Sequence, residues 1–252
     1  MKHVLISGAG SGIGRAAAAR LAEEGYACLL LGRTKAKLED TRAALPNPDA
    51  HRIVVADVRD KLAIQNGLRA EKLSGLHAVV ANAGVGGPNV YGPDDRWDEV
   101  LATNLSGVYF LVNESLPYLR GEADGYRHVV VISSILARIG IPDYSAYCAS
   151  KAGLLGLMRS WAVAFARDRI LVNAICPGWV DTDMARQGIR TYAQAVNKSY
   201  EEAYKEQMSQ VLLRKMSRPE EIANLIAFLL SDAQNSFTGQ AFDINNGAFM
   251  PA

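Results

Sequence analysis

Seven short runs, each apolar at consecutive positions, recur along the chain with helix-forming stretches between them. They are VLI near residue 4, CLLL at 28–31, IVVA at 53–56, AVVA at 78–81, VVVIS at 129–133, ILVNAI at 170–175 and AFDI at 241–244. A strand with one face in water alternates apolar and polar residues, whereas a continuous apolar run needs cover on both faces. Helices between the runs supply that cover, so the pattern predicts an α/β fold: a doubly wound, seven-stranded parallel sheet flanked by helices on both faces. The helices carry the matching stripe, Ile13, Ala17 and Leu21 in the first and Leu154, Leu157, Trp161 and Phe165 in the one after Lys151. Gly25 reads as the first helix's stop. At 252 residues, one domain spanning 1–252 is expected.

One region departs from the rhythm. Residues 184–215, MARQGIRTYAQAVNKSYEEAYKEQMSQVLLRK, are polar and helix-forming and lie between the sixth run and a helix beginning near Pro219. An excursion after a strand's carboxyl end, where such sheets bind ligands, reads as a substrate-covering lid; a plain surface helical hairpin is the alternative. The segment WDEVLATNLSGVYFLVNESLPYL, residues 97–119, is apolar on more than one side. That suits a helix packed on the sheet and against a second subunit, so a homo-oligomer, tetramer or dimer, is expected, with a fully buried helix of a monomer as the alternative.

With 27 basic against 26 acidic residues and a net charge of +1, the chain has no electrostatic footprint for nucleic acid or an anionic membrane. The expected partner is a small molecule. Cys28, Cys148 and Cys176 are odd in number and widely spaced, which argues against a disulfide framework or a metal cluster and for a reducing compartment. Cys148 reads as a packing residue, with no histidine near it in sequence. The strand-like HVLIS at the start leaves no room for a signal peptide, and no apolar run approaches the roughly 18 residues of a membrane span. A cytoplasmic protein is expected.

The first run is followed by SGAGSGIG at residues 7–14 and then an Ala-rich helix. Glycines there let the backbone approach a pyrophosphate at the helix amino end, which makes the sheet a dinucleotide-binding, Rossmann-type one. The spacing is G-x-x-x-G-x-G rather than G-x-G-x-x-G. After the second run, where an acid would hold ribose hydroxyls, stand Gly32 and Arg33, then Thr34, Lys35 and Lys37. A guanidinium binds a 2′-phosphate bidentately and a carboxylate repels it, so NADP(H) is favoured; NAD(H) stays open if Arg33 is solvated or stacks on adenine. Further along, YSAYCASKAGLLGL places Tyr147 and Lys151 one helical turn apart, so a phenol and an ammonium share a face, with Ser134 upstream. That grouping reads as hydride-transfer chemistry, in which the cation and an oxidised nicotinamide are expected to lower the phenol's pKa from about 10.

With these pieces in order, the chain resembles the short-chain dehydrogenase/reductase family, in its compact single-domain form, over essentially its whole length. Ser7, Gly8, Ser11, Gly12, Ile13 and Gly14 match its glycine turn, with Ser7 where threonine is usual. The resemblance implies that Asp57 and the adjacent Val58 contact the adenine. It implies too that Asn82, Ala83 and Gly84 line the coenzyme site, although Ala81 replaces a frequent asparagine, and that Pro177, Gly178, Val180 and Thr182 hold the nicotinamide carboxamide. Asp243 and Gly247 resemble the closing strand and turn. Asn104, Ser134, Tyr147 and Lys151 match the catalytic tetrad. Lys151 is then implied to hold the nicotinamide ribose as well, and Asn104 to anchor a proton-relaying water.

In the reductive direction Tyr147 is expected to protonate a carbonyl oxygen that Ser134 also hydrogen-bonds. Expected substrate-facing residues are Leu136, Tyr144, Trp179, Met184 and Arg190, with Arg138, Pro142, Arg186 and Tyr192 as further candidates. This mixture of apolar walls and cations suits an apolar carbonyl compound carrying an anionic handle. The leading reading is NADPH-dependent reduction of a 3-oxoacyl or related ketone. An NAD-dependent secondary-alcohol or 3-hydroxyacid dehydrogenase, and a non-catalytic nucleotide-binding subunit or sensor, remain as alternatives.

Overall fold

A computed structural model describes residues 1–120 and 125–250. The seven apolar runs are its strands: β1 (His3–Ser7), β2 (Ala27–Gly32), β3 (Arg52–Val55), β4 (Ala78–Ala81), β5 (Arg127–Ile132), β6 (Ile170–Pro177) and β7 (Ala241–Ile244). They form one sheet in the order β3-β2-β1-β4-β5-β6-β7, every neighbouring pair parallel. Between them run α1 (Gly12–Glu23), α2 (Lys35–Ala43), α3 (Lys61–Ala70), α4 (Trp97–Leu101), α5 (Gly107–Leu119), α6 (Ser145–Ala164), α7 (Asp183–Ala195), α8 (Tyr200–Ser209) and α9 (Pro219–Leu230). The strand order reverses direction between β1 and β4, and the loops leaving those two strands diverge to open a crevice at their carboxyl ends.

Side chains alternate across a strand, so each continuous apolar run is divided between two cores. Leu5, Leu29, Leu31, Val79 and Val129 join Leu111 of α5 and Leu154 of α6 on one face. Val4, Ile6, Leu30, Val80 and Val130 join Leu21 of α1 and Ile226 of α9 on the other. Each fully buried Leu or Ile contributes roughly 1.5–3 kcal/mol, which explains why neither register of these runs admits a charge. Gly25 ends α1 as its position suggests, with a left-handed φ of +83° and its N–H donating to Ala22.

Residues 97–119 do not form one uniform α-helix. Between α4 and α5 the chain takes a π-helical segment, Ala102–Ser106, whose wider turn carries Asn104 fully inside. The excursion folds as the hairpin α7–α8, with a small core of its own made by Ile189, Ala193, Ala203 and Met208. Thr182 caps α7, its hydroxyl accepting from Ala185 N–H, and Ser199 with Glu202 forms a capping box on α8. Beyond α8 the chain is tied down by Leu213 N–H donating to Asn246 C=O at 3.1 Å. Among the described residues no helix is long and apolar enough to cross a membrane.

Candidate active site

A cleft of about 530 Å³ opens at the β1/β4 crevice, floored by the strand ends and bounded on one side by α7 and α8. Its floor is set by hydrogen bonds between the two divergent loops. The Ser7 hydroxyl oxygen accepts from the N–H groups of both Asn82 and Ala83 at 3.0 Å, and Asn82 Nδ2 donates back to Ser7 C=O at 2.9 Å. A Cβ on Gly8 would lie 2.8 Å from that same Asn82 amide, and one on Gly14 would strike the Gly8 carbonyl. The glycines therefore keep open a shallow cradle directly before α1. That helix has no acidic residue in its first turn and no side-chain cap on its leading N–H groups, which suits them to a diphosphate. A dinucleotide fits this cradle.

The chemical groups converge from two elements. Ser134 follows β5, its hydroxyl accepting from Leu136 N–H at 3.1 Å. Tyr147 and Lys151 lie on α6, with Lys151 Nζ 5.5 Å from the phenol ring centroid and donating to Ile132 C=O at 2.9 Å. The Ser133 hydroxyl donates to Lys151 C=O at 2.8 Å, pinning α6 to the end of β5. Asn104 does not line the cleft. Its side chain holds both backbone groups of Val85, accepting from the N–H at 2.8 Å and donating to the C=O at 2.9 Å, and reaches Ser150 Oγ at 3.3 Å.

The electrostatics differ from the sequence expectation. Burial pushes the Tyr147 phenol up to about 12, with only the Ser134 hydrogen bond pulling the other way, so the protein's own groups do not acidify the phenol. Burial also lowers the Lys151 ammonium to about 8. Desolvation thus dominates for both groups, because the ammonium lies over the ring face and gives its hydrogen bond to a carbonyl.

Of the sequence candidates, Gly8, Ser11, Gly12, Ile13, Asn82, Ala83, Gly84, Ser134, Tyr147, Lys151, Pro177, Gly178, Val180 and Thr182 all line the cleft, as do Leu136, Tyr144, Trp179 and Met184. Ser7 and Gly14 support it from behind. Arg33 and Asp57 are not among the residues lining the cleft: Arg33, just beyond β2, has its side chain 60% exposed and 3.9 Å from Asp57, whose carboxylate is held chiefly by Arg59 at 2.7 Å and so kept below the usual carboxylate range. Val58 departs from expectation: its side chain is buried in the core, where a Cβ on Gly107 would meet it at 2.7 Å.

The cationic candidates depart further. Arg190 is exposed and outside the cleft wall, Arg138 pairs with Asp243 at 3.2 Å, and Arg186 pairs with Asp181 at 2.8 Å. Pro142 is absent from the lining, as is Tyr192, whose hydroxyl donates to Glu206. Sequence reading missed Gln187, Gly188 and Thr191 on α7 and Gln207, Gln210 and Val211 at α8, all of which line the cleft. Their spacing from Met184 and from one another, three or four residues at a time, is the helical stripe that could have revealed them.

A family model described as enoyl-(acyl carrier protein) reductase matches residues 8–248. The 3-oxoacyl-(acyl-carrier-protein) reductase FabG of Staphylococcus aureus is 32% identical over 99% of this chain and 98% of its own length. Among solved structures, levodione reductase superposes with a TM-score of 0.89 at 32% identity, over 98% of this chain and 96% of that one. A variant actinorhodin polyketide ketoreductase with NADPH gives 0.91 at 30% identity, over 98% and 97%. Sheet order, glycine cradle and the Ser134, Tyr147 and Lys151 grouping agree with these likenesses, and the chain belongs to the short-chain dehydrogenase/reductase family, oxidoreductases that work between C=O and CH–OH with a nicotinamide coenzyme.

Proposed function

We propose that this chain is an NADPH-dependent reductase of a 3-oxoacyl or related ketone. The observation that carries the reading is the meeting of Ser134, Tyr147 and Lys151 in one cleft with the glycine cradle. The activities of its relatives, a 3-oxoacyl-(acyl-carrier-protein) reductase and a polyketide ketoreductase, support the substrate class. The N–H groups of Ser11 to Gly14 hold the diphosphate, the Asn82 to Gly84 loop and Pro177 to Thr182 hold the nicotinamide end, and the exposed Arg33 guanidinium reads the 2′-phosphate. When bound, the reduced coenzyme supplies hydride to the carbonyl carbon.

The chain's own residues do the rest. A phenol at about 12 is fully protonated at neutral pH, so Tyr147 serves as proton donor to the carbonyl oxygen. Ser134 hydrogen-bonds the same oxygen as charge develops there. Lys151, still cationic below about 8, stabilises the phenolate left behind. Asn104 acts at one remove, fixing the Val85 backbone beside Gly84.

Tyr147→Phe removes the donor while nearly conserving volume. It should lower kcat by about 100- to 10,000-fold with NADPH affinity unchanged; a variant retaining most ketone reduction would refute the assignment. Because kcat/KM reports the free enzyme, it should decline above about pH 8 as Lys151 loses its proton. Arg33→Asp should weaken NADPH by about tenfold or more and leave NADH little changed, read by fluorescence titration.

The proposal extends to assembly as a homo-oligomer in the cytoplasm. Trp97, Tyr109 and Val163 are exposed at 41%, 44% and 82% on α4, α5 and α6, and Tyr109 stacks on Trp161 at 6.2 Å. Light scattering on a Tyr109→Glu, Val163→Glu double variant should give a smaller species than the parent.

A further inference from the structure

Only two charged side chains line the cleft among the described residues, Lys151 and Asp183. Lys151 is committed inward, to Ile132 C=O and the Tyr147 ring. Asp183 has its side chain 90% exposed and lies 3.9 Å from the Arg186 guanidinium, so it offers an anion no attraction. Three nearby guanidiniums are engaged elsewhere: Arg138 with Asp243, Arg186 with Asp181, and Arg96 with Glu99 at 2.7 Å and Gly86 C=O at 3.0 Å; Arg190, on α7, is exposed and stands outside the lining. One wall of the cleft is apolar, built by Leu136, Ile139 and Ile141. Gln187 and Gln210 of the helical hairpin also line the cleft; both are solvent-exposed, and their side-chain amides have no hydrogen-bond partner among the described residues.

A primary amide offers a donor and an acceptor without charge. An ester, thioester or ring carbonyl entering the cleft exchanges a weak hydrogen bond to water for one to an amide. A carboxylate sheds a strongly bound hydration shell and meets no uncommitted cation in the lining in return.

We infer that the cleft selects ketones whose other polar groups are uncharged, and rejects free 3-oxo acids, with Gln187 and Gln210 as hydrogen-bonding partners of a second, neutral carbonyl. This rests on the ketone-reductase reading and narrows its substrate class. It replaces the anionic handle expected from the arginine-rich sequence of the excursion.

The test measures binding rather than turnover. Tyr147→Phe protein saturated with NADPH, in which the nicotinamide is uncharged and proton transfer is blocked, is titrated calorimetrically with methyl acetoacetate and with acetoacetate. The ester should bind at least about tenfold tighter. Gln187→Arg in the same background should narrow that gap by strengthening the acid. Equal or tighter binding of the acid overturns the inference, and so does failure of the ester to bind. Neither result touches the reductase reading, which is judged separately by NADPH oxidation in wild-type protein with other ketones.

Discussion

Around the carboxyl ends of β4 and β5 three buried polar side chains are directed: Ser7 of β1 onto Asn82 and Ala83, Ser133 onto Lys151, Asn104 onto both backbone groups of Val85. At the amino ends of the same two strands stand His77 and His128, equally buried, with ring centroids 5.0 Å apart. His77 reaches Leu230 C=O at 3.0 Å, but both ring nitrogens of His128 have no partner among the described residues. The same sheet thus uses buried polarity for placement at one end and carries it as a cost at the other. Partners, more than burial, separate a working polar group from a destabilising one.

The largest effect should come from orphaning the directed end. Asn104→Leu strands the Val85 N–H and C=O together, and at roughly 1–3 kcal/mol for each the folded state should lose about 3–4 kcal/mol in urea denaturation. Ser7→Ala leaves the Asn82 and Ala83 amides bare, should cost about 1–3 kcal/mol, and should weaken NADPH binding as the cradle floor loosens. A stability loss without any change in coenzyme affinity would show that Ser7 is merely structural.

The undirected end should respond in the opposite sense. Burial holds the His128 imidazole down at about 3, against 6.5 in an unfolded chain. Between those values the unfolded state takes up a proton that the folded state refuses. Stability is therefore full above about pH 6.5 and falls as the solution is acidified, by up to about 1.4 kcal/mol per pH unit for this one group. His128→Leu removes both unpaired nitrogens. It should raise stability by about 1 kcal/mol at neutral pH and flatten the acid slope; an unchanged slope between pH 6.5 and 5 would show that His128 finds water. Smallest of all, Lys2→Ala opens an exposed ion pair with Asp232 and should shift stability by less than about 0.5 kcal/mol.

The strands were legible because two-sided burial leaves an unbroken apolar run, and the glycine turn because close backbone approach tolerates no side chain. Tyr147 and Lys151 were legible because helical spacing is local. What was hidden depends on partners distant in sequence. Arg138 looked like a substrate cation until folding brought Asp243, 105 residues away, against it. Ser7 looked like part of the cradle's lining, whereas its hydroxyl bonds 75 and 76 residues along the chain. The acidified phenol expected from a neighbouring ammonium failed because spacing specifies proximity and leaves the direction of the N–H bonds open.

The π-helical segment carries a consequence for how this chain can vary in length. An α-helical residue adds about 100° of rotation, so excising one residue from Ala102–Ser106 would restore a regular helix only by swinging Asn104 or the whole of α5 around its axis. The segment acts as a fixed spacer, where a single codon lost would withdraw the amide from Val85 and turn the core face of α5 toward water.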